Sequence, residues 1–315
     1  MASTKPVISI LVPCYNEQAV ITMCHDRITE SIKDLEQDYK FEIIYVNDGS
    51  KDDTLATLIN LSEQDKRVCV INLSRNFGKE AAMTAGLDHL ECDAVIILDA
   101  DLQDPPELIP EMIEMWRNED ADVVYGQRIS RLGETWVKKA TAAAFYQIIN
   151  VISRVDIPVN TGDFRLMNRR AIDAIRELRE KHRFMKGLFA WIGYKQVALQ
   201  YQRQPRAAGR TSWDYLKLWN LSLEGITGFS MTPLRVATLF GLMISIFAFL
   251  YGAYIIINTI MSGSDVPGYP SLMVMITFLS GIQLTTIGIL GEYIGRIFNE
   301  TKKRPLYLID KVYKS

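Results

Sequence analysis

Asp99-Ala100-Asp101 sets two carboxylates two residues apart, directly after the apolar run Ala94–Leu98. Hard oxygen ligands of this kind suit Mg2+ or Mn2+. Magnesium usually completes its shell with water and substrate phosphates, so a loose carboxylate pair points to a diphosphate substrate. A D-x-D alone is a weak signal. The chain carries a second, Asp120-Ala121-Asp122, which precedes an apolar run and reads as a solvated turn. The first pair gains weight from the run before it and from Gln103-Asp104-Pro105-Pro106 after it. Other chemistries lose support. Neither G-x-G-x-x-G nor G-x-x-x-x-G-K-[ST] occurs, which removes the main signals for dinucleotide redox and P-loop hydrolysis. Cys14, Cys24, Cys69 and Cys92 form no C-x-x-C pair and have no histidine at ligand spacing, so they read as reduced, packed thiols. His25, His89 and His182 are isolated.

The elements that must position such carboxylates follow from the apolar pattern. Val7–Val12, Ile43–Val46, Val68–Leu73, Ala94–Leu98 and Val123–Tyr125 read as strands, with helical patterns at Ala19–Leu35, Thr54–Gln64 and Lys79–His89 between the first four. Alternating strand and helix with fully apolar strands predicts an α/β fold with a mainly parallel, Rossmann-like sheet covered on both faces. Ligands in such sheets bind at the carboxyl ends of the strands. Tyr15, Asn16 and Glu17 follow the first run, Asp48 the second, Arg75 the third, Asp99 and Asp101 the fourth.

The chain has 315 residues, with Lys plus Arg 35 and Asp plus Glu 37, a net charge of −2 that gives no basic footprint for nucleic acid. That average hides a division. No charged residue occurs from Val236 to Ser264 or from Val266 to Gly291. Val236–Ile260 and Leu272–Leu290 each reach the roughly 20 apolar residues that span a bilayer as a helix. The link between them lacks Lys and Arg, whereas Arg235, Arg296, Lys302, Lys303, Arg304, Lys311 and Lys314 flank the pair, which predicts both termini in the cytoplasm. Trp213–Thr232, rich in Trp and Leu, reads as an interfacial amphipathic helix, with Trp136–Val155 a second candidate. Val7–Val12 is too short for a secretory signal, so the amino-terminal domain is expected to remain cytoplasmic. Gly241, Gly252, Gly281 and Gly288 would permit helix self-association, hence a homo-oligomer, without specifying it.

Several segments together resemble the family 2 glycosyltransferases of the GT-A fold: Pro13-Cys-Tyr-Asn-Glu17, Val46-Asn-Asp48-Gly-Ser50, Arg75-Asn-Phe-Gly-Lys79 and Leu98-Asp-Ala-Asp-Leu-Gln103-Asp-Pro-Pro-Glu107. Thr161-Gly-Asp163-Phe-Arg165, Arg206-Ala-Ala-Gly209-Arg-Thr-Ser212 and Leu290-Gly-Glu-Tyr-Ile-Gly-Arg296 narrow the likeness to polyprenyl-phosphate glycosyltransferases, nearest the bactoprenol glucosyltransferases. The dolichol-phosphate mannose synthases belong to the same group. The resemblance implies a GT-A domain over 1–212, an interfacial region over 213–233, membrane helices over 234–261 and 271–291, and a basic cytoplasmic tail over 292–315.

It further implies transfer of a sugar, glucose from UDP-glucose first, to undecaprenyl phosphate with inversion, at a bacterial inner membrane. GDP-mannose, a UDP-aminosugar or a formamido-arabinose donor are the alternatives. A flippase and a second glycosyltransferase would act downstream, in O-antigen or envelope glycan modification. A non-enzymatic nucleotide sensor is the competing class, and it would leave the carboxylates without a purpose. By the resemblance, Pro13, Tyr15, Glu17, Asp48, Asp99, Ala100, Asp101 and Arg206 line the nucleotide site. Asp101 and Gln103, with Asp99, would hold Mg2+ or Mn2+, and Asp163 with Asp101 would carry catalysis. Arg128, Lys138, Lys139, Arg165 and Ser212 are the candidates for the lipid phosphate.

Overall fold

The computed structural model describes residues 5–129, 158, 160–181, 183–202, 232–262 and 268–314. Four strands form the heart of the fold: β1 (Val7–Cys14), β2 (Lys40–Asn47), β3 (Val68–Leu73) and β4 (Ala94–Ile97). They pair in parallel, β1 with both β2 and β4, and β2 with β3. Each is an almost unbroken apolar run because helices cover both faces. In α1 (Ile21–Ile32), Ile21, Cys24, His25, Ile28 and Ile32 are buried at helical spacing. α2 (Thr54–Gln64) packs beside it, and α4 (Ile109–Glu119) follows β4. α3 (Lys79–His89) is buried from Ala81 to Leu87. A Cβ on its Gly86 would overlap the Leu11 side chain, so this glycine lets α3 lie close on β1.

The sheet is larger and less parallel than the sequence pattern predicts. Its order is β7-β5-β6-β4-β1-β2-β3-β8, adding β5 (Val123–Arg128), β6 (Thr161–Asn168), β7 (Gln196–Tyr201) and β8 (Ile309–Lys314). β6 lies antiparallel between β4 and β5, and β8 is antiparallel to β3, so the sheet is mixed. β7 restores parallel pairing with β5. These strands escape an apolar-run reading because charge or amide interrupts them: Asp163 and Arg165 in β6, Gln196 and Gln200 in β7, Asp310, Lys311 and Lys314 in β8. α5 (Arg169–Glu177) starts at Asn168, whose side chain accepts from Ala171 N at 2.9 Å. α6 (Met185–Trp191) packs on β6.

The chain divides into two compact units, Met1–Ser222 with Arg304–Ser315, and Leu223–Lys303. The second contains α7 (Thr232–Ser262) and α8 (Tyr269–Thr301). Among the described residues one helix, Leu234–Tyr254 within α7, is long and apolar enough to cross a membrane. The second expected span, 271–291, lies inside α8. The expected interfacial helices fall outside the described residues. The expected basic tail over 292–315 is corrected: α8 runs on to Thr301, and Ile309–Lys314 returns to the sheet as β8. There it covers the edge of β3, which would otherwise present an open hydrogen-bonding ladder.

Candidate functional site

Chain direction reverses at β1. Successive crossovers carry it from β1 outward to β3, and α3 then returns it to β4 on the other side. A crevice beyond the carboxyl ends of β1 and β4 is therefore the place for a ligand. The loops there are tied to one another. Asn16, at φ 56°, donates its amide to Ser50 Oγ at 3.0 Å and accepts from Lys51 N at 2.8 Å. Glu17 N donates to Thr54 Oγ1 at 2.9 Å. Pro13 is buried at the end of β1, and Tyr15 beyond it is 39 % exposed.

Asp48 is buried and accepts from Phe77 N at 2.7 Å and Gly78 N at 2.9 Å. Burial pushes its carboxyl above the ordinary range, partly offset by those two amides. It thus fixes the Arg75–Gly78 loop, a role the sequence reading lacked. A carboxylate has about four acceptor positions, so this clamp leaves capacity for a nucleobase N–H. Gly49 is required beside it: φ is +63°, and a Cβ would lie 2.5 Å from the Arg75 carbonyl carbon.

That clamp sets the start of α3, and hence Lys79. The Lys79 ammonium is 2.6 Å from Asp99 Oδ1 and 2.5 Å from Asp163 Oδ2. The antiparallel register explains the meeting. Ile97 pairs with Arg165 at the end of the ladder, and Asp99 and Asp163 each lie two residues beyond that pair. Burial acts to raise Asp163, but Lys79 and Lys186 outweigh it and hold this carboxyl well below the usual range. Asp99 moves the other way, raised by burial despite Lys79, with Asp163 and Asp104 adding repulsion. Lys79 stays firmly charged, since the attraction of Asp163 and Asp99 exceeds the cost of its burial.

Arg165 is 3 % exposed. It donates to the Gly162 carbonyl at 2.9 Å and its guanidinium lies 3.6 Å from the Phe189 ring centroid. Burial lowers its pKa to about 10, leaving it a cation at neutral pH. This corrects the expectation that Arg165 meets a lipid phosphate: its charge braces the backbone that carries Asp163. Arg128 is partly buried, donating to Asp104 at 3.3 Å and to Tyr201 Oη at 3.2 Å. Tyr201 in turn donates to Asp104, which is buried with its Oδ2 unpartnered among the described residues. Asp104 and Tyr201 are further groups that the sequence reading did not single out. Gly162 leaves room for this cluster, because a Cβ there would lie 2.6 Å from Arg128 Nη2.

Asp101 and Gln103 share a tight turn after β4. Gln103 N donates to Asp101 Oδ1 at 3.1 Å, and Leu102 between them holds a left-handed φ of 58° although it is buried. Such strain concentrates at functional turns. Among the described residues, no three His, Cys, Asp or Glu side chains form a complete metal site. The donor chemistry of Asp101 and Gln103 fits a divalent ion that arrives with a diphosphate and keeps waters. Asp99, the third residue expected at the metal, turns its Oδ1 to the Lys79 cation. Ala100 is buried between them. Arg206, Lys138, Lys139 and Ser212 lie outside the described residues.

Residues 9–176 match the model of glycosyl transferase family 2, and residues 232–297 match the GtrB C-terminal hairpin. An uncharacterized glycosyltransferase of Synechocystis sp. is 51 % identical over 97 % of this chain and 95 % of its own. The prophage bactoprenol glucosyl transferase homolog of Escherichia coli (strain K12) is 47 % identical over 98 % of this chain and 99 % of its own. The bactoprenol glucosyl transferase of Shigella phage SfX is 48 % identical over 96 % of this chain and 98 % of its own. With its strand-end carboxylates and these full-length relatives, the chain belongs to glycosyl transferase family 2.

Proposed function

We propose that this enzyme transfers glucose from UDP-glucose to undecaprenyl phosphate at the cytoplasmic face of a bacterial inner membrane. The observation that carries this reading is the match, hairpin included, to bactoprenol glucosyl transferases at 47–48 % identity. The site geometry supplies the chemistry. In this reading Tyr15 and Asp48 would face the nucleoside, and Lys79 and Asp99 would lie on the diphosphate side. A divalent cation held by Asp101 and Gln103 would offset charge on the leaving nucleoside diphosphate.

The acceptor phosphate attacks the anomeric carbon from the face opposite the leaving group, which inverts that centre. A phosphomonoester has a second pKa near ~6, so the acceptor is largely ionised at neutral pH and needs little proton removal. Asp163, held ionised by Lys79, accordingly acts by orienting groups in the crevice and takes a proton only in the minor monoanionic case. Arg128, at the end of β5, is the described cation assigned to the lipid phosphate.

Two further features support a two-span membrane hairpin. Large apolar side chains of α7, such as Phe249 at 77 % and Ile260 at 79 %, are exposed, as lipid-facing residues are. Strand β8 also lies in the same sheet as β1–β4, which supports a reading in which the chain enters and leaves the hairpin on one side of the bilayer. The reading is tested with the purified full chain, undecaprenyl phosphate and a panel of UDP- and GDP-sugars, with the lipid product identified by mass. Glucosyl-phospholipid from UDP-glucose is expected. Preference for GDP-mannose or a UDP-aminosugar would overturn the donor assignment, and absence of any glycolipid would overturn the activity.

A further inference from the structure

The segment that follows the hairpin does more than close a sheet edge. Asn72 pairs with Lys311 and Leu73 with Ile309, so Asp310 is an extra residue in β8, a β-bulge. Bulges re-aim side chains, and this one puts Asp310 Oδ2 3.0 Å from Asn72 Nδ2. Asn72 Oδ1 accepts from Asn47 Nδ2 at 2.7 Å, and Asn47 Oδ1 accepts from Ser50 N at 3.4 Å. Asn47 and Asn72 are both buried. A hydrogen-bonded line therefore runs from the bulge, across β3 and β2, to the turn that holds Asp48.

A second contact starts from the same segment. Tyr307 Oη donates to Asp88 Oδ2 at 2.8 Å, Arg179 pairs with the same oxygen at 2.7 Å, and the Tyr307 ring meets His89 edge-on at 6.4 Å. Asp88 and His89 end α3, the helix that begins at Lys79. Thus one segment reaches the Asp48 turn through the sheet and the Lys79 helix through its far end.

We infer that residues 307–314 are a positioning element of the donor half of the active site, with Asp310, acting through Asn72 and Asn47, its principal residue. The inference rests on the donor reading above. Asp310 touches no reacting atom. It holds the Asn47–Ser50 turn, and thereby Asp48 and the Phe77–Gly78 amides, in place for the nucleotide. This assigns the chain beyond the hairpin a part in donor affinity, separate from the lipid half of the site.

The test uses the full chain in lipid nanodiscs. Calorimetry with UDP and with GDP first establishes which nucleotide the unaltered enzyme binds. If it binds neither, the donor reading fails and this inference fails with it. With the bound nucleotide, Asp310→Ala is expected to raise Kd about fivefold, or ~1 kcal/mol, while KM for the lipid acceptor stays within about twofold. Asp310→Asn, which keeps an acceptor oxygen, is expected to restore affinity. Asn72→Ala combined with Asp310→Ala should be no worse than Asn72→Ala alone, as for groups in one line. Nucleotide affinity unchanged in Asp310→Ala, or lowered equally in Asp310→Asn, would overturn the inference while leaving the donor reading intact. A fall in melting temperature with unaltered affinity would likewise overturn it, since β8 would then only stabilise the sheet.

Discussion

Among the described residues Lys79 is the one cation 2.5–2.6 Å from both Asp99 and Asp163, so replacing it with methionine tests how the site is balanced. The substitution keeps the stem and deletes the charge, leaving two carboxylates facing each other across the β4–β6 register. Removing one partner of a fully buried ion pair costs ~3–5 kcal/mol. Here Asp99 and Asp163 are 24 % and 16 % exposed and Lys79 is 38 % exposed, so solvent screening reduces the cost. We take ~1–3 kcal/mol after that discount. For a unit of this size that is a fall of roughly 2–10 °C in melting temperature.

The sign of the pH effect follows from Asp163. Its folded pKa lies below the unfolded value of about 3.9, so its stabilisation is present above that value and is lost only as pH falls through the lower folded one. In Lys79→Met the largest attractive influence on Asp163 is gone, its pKa rises, and an acid limb appears in the kcat/KM profile at a pH where the unaltered enzyme is still flat. Lys79→Arg should retain the flat profile. The assay is glucosyl transfer to undecaprenyl phosphate between pH 4.5 and 8, at about half-unit steps, beside thermal unfolding of the same samples. A Lys79→Met profile and melting temperature that match the unaltered enzyme would refute the argument that this lysine holds Asp163 ionised.

Three further outcomes follow from the same geometry. Asp163→Asn should bind the nucleotide with normal affinity and lose kcat, by less than the ~10²–10⁴-fold of a full general base; near-normal turnover would remove Asp163 from catalysis. Asp101→Ala should abolish turnover and eliminate the dependence of nucleotide affinity on Mg2+ or Mn2+, measured by titrating the metal at fixed nucleotide. Gly49→Ala forces a side chain to within 2.5 Å of the Arg75 backbone at a left-handed φ, so it should cost ~1–3 kcal/mol and weaken nucleotide binding, checked by unfolding and calorimetry.

The parallel heart of the fold was legible because burial on both faces writes itself as apolar runs: Val7–Val12, Val68–Leu73 and Ala94–Leu98 could be little else. The same logic hid β6. A strand that carries Asp163 and Arg165 toward a crevice must break its own apolar run, so the feature that makes it functional erases the signal that would reveal it. β8 was hidden differently. Its charges mark an exposed edge, and they look the same as those of a solvated tail. Of the site, the residues after each parallel strand could be placed from the strand-end rule alone. The Asp99–Lys79–Asp163 bridge could not, because it depends on an antiparallel register between segments more than sixty residues apart. Lys79 stood in a recognised motif, yet nothing in that motif says which carboxylates it meets.

That bridge also bears on what Asp163 does. A general base works best with a pKa near the working pH. Asp163 sits in the opposite condition, kept far below it by Lys79 and Lys186 and braced through its backbone by Arg165. Such an arrangement would serve a hydroxyl acceptor poorly, since a hydroxyl must lose its proton as it attacks. It suits an acceptor that arrives ionised. Asp99 and Asp163 pair with Lys79, and Asp104 pairs with Arg128, so these three carboxylates oppose an incoming phosphate less than unpaired ones would. An acceptor phosphate, oriented by fixed charges and requiring no strong base, is compatible with this arrangement.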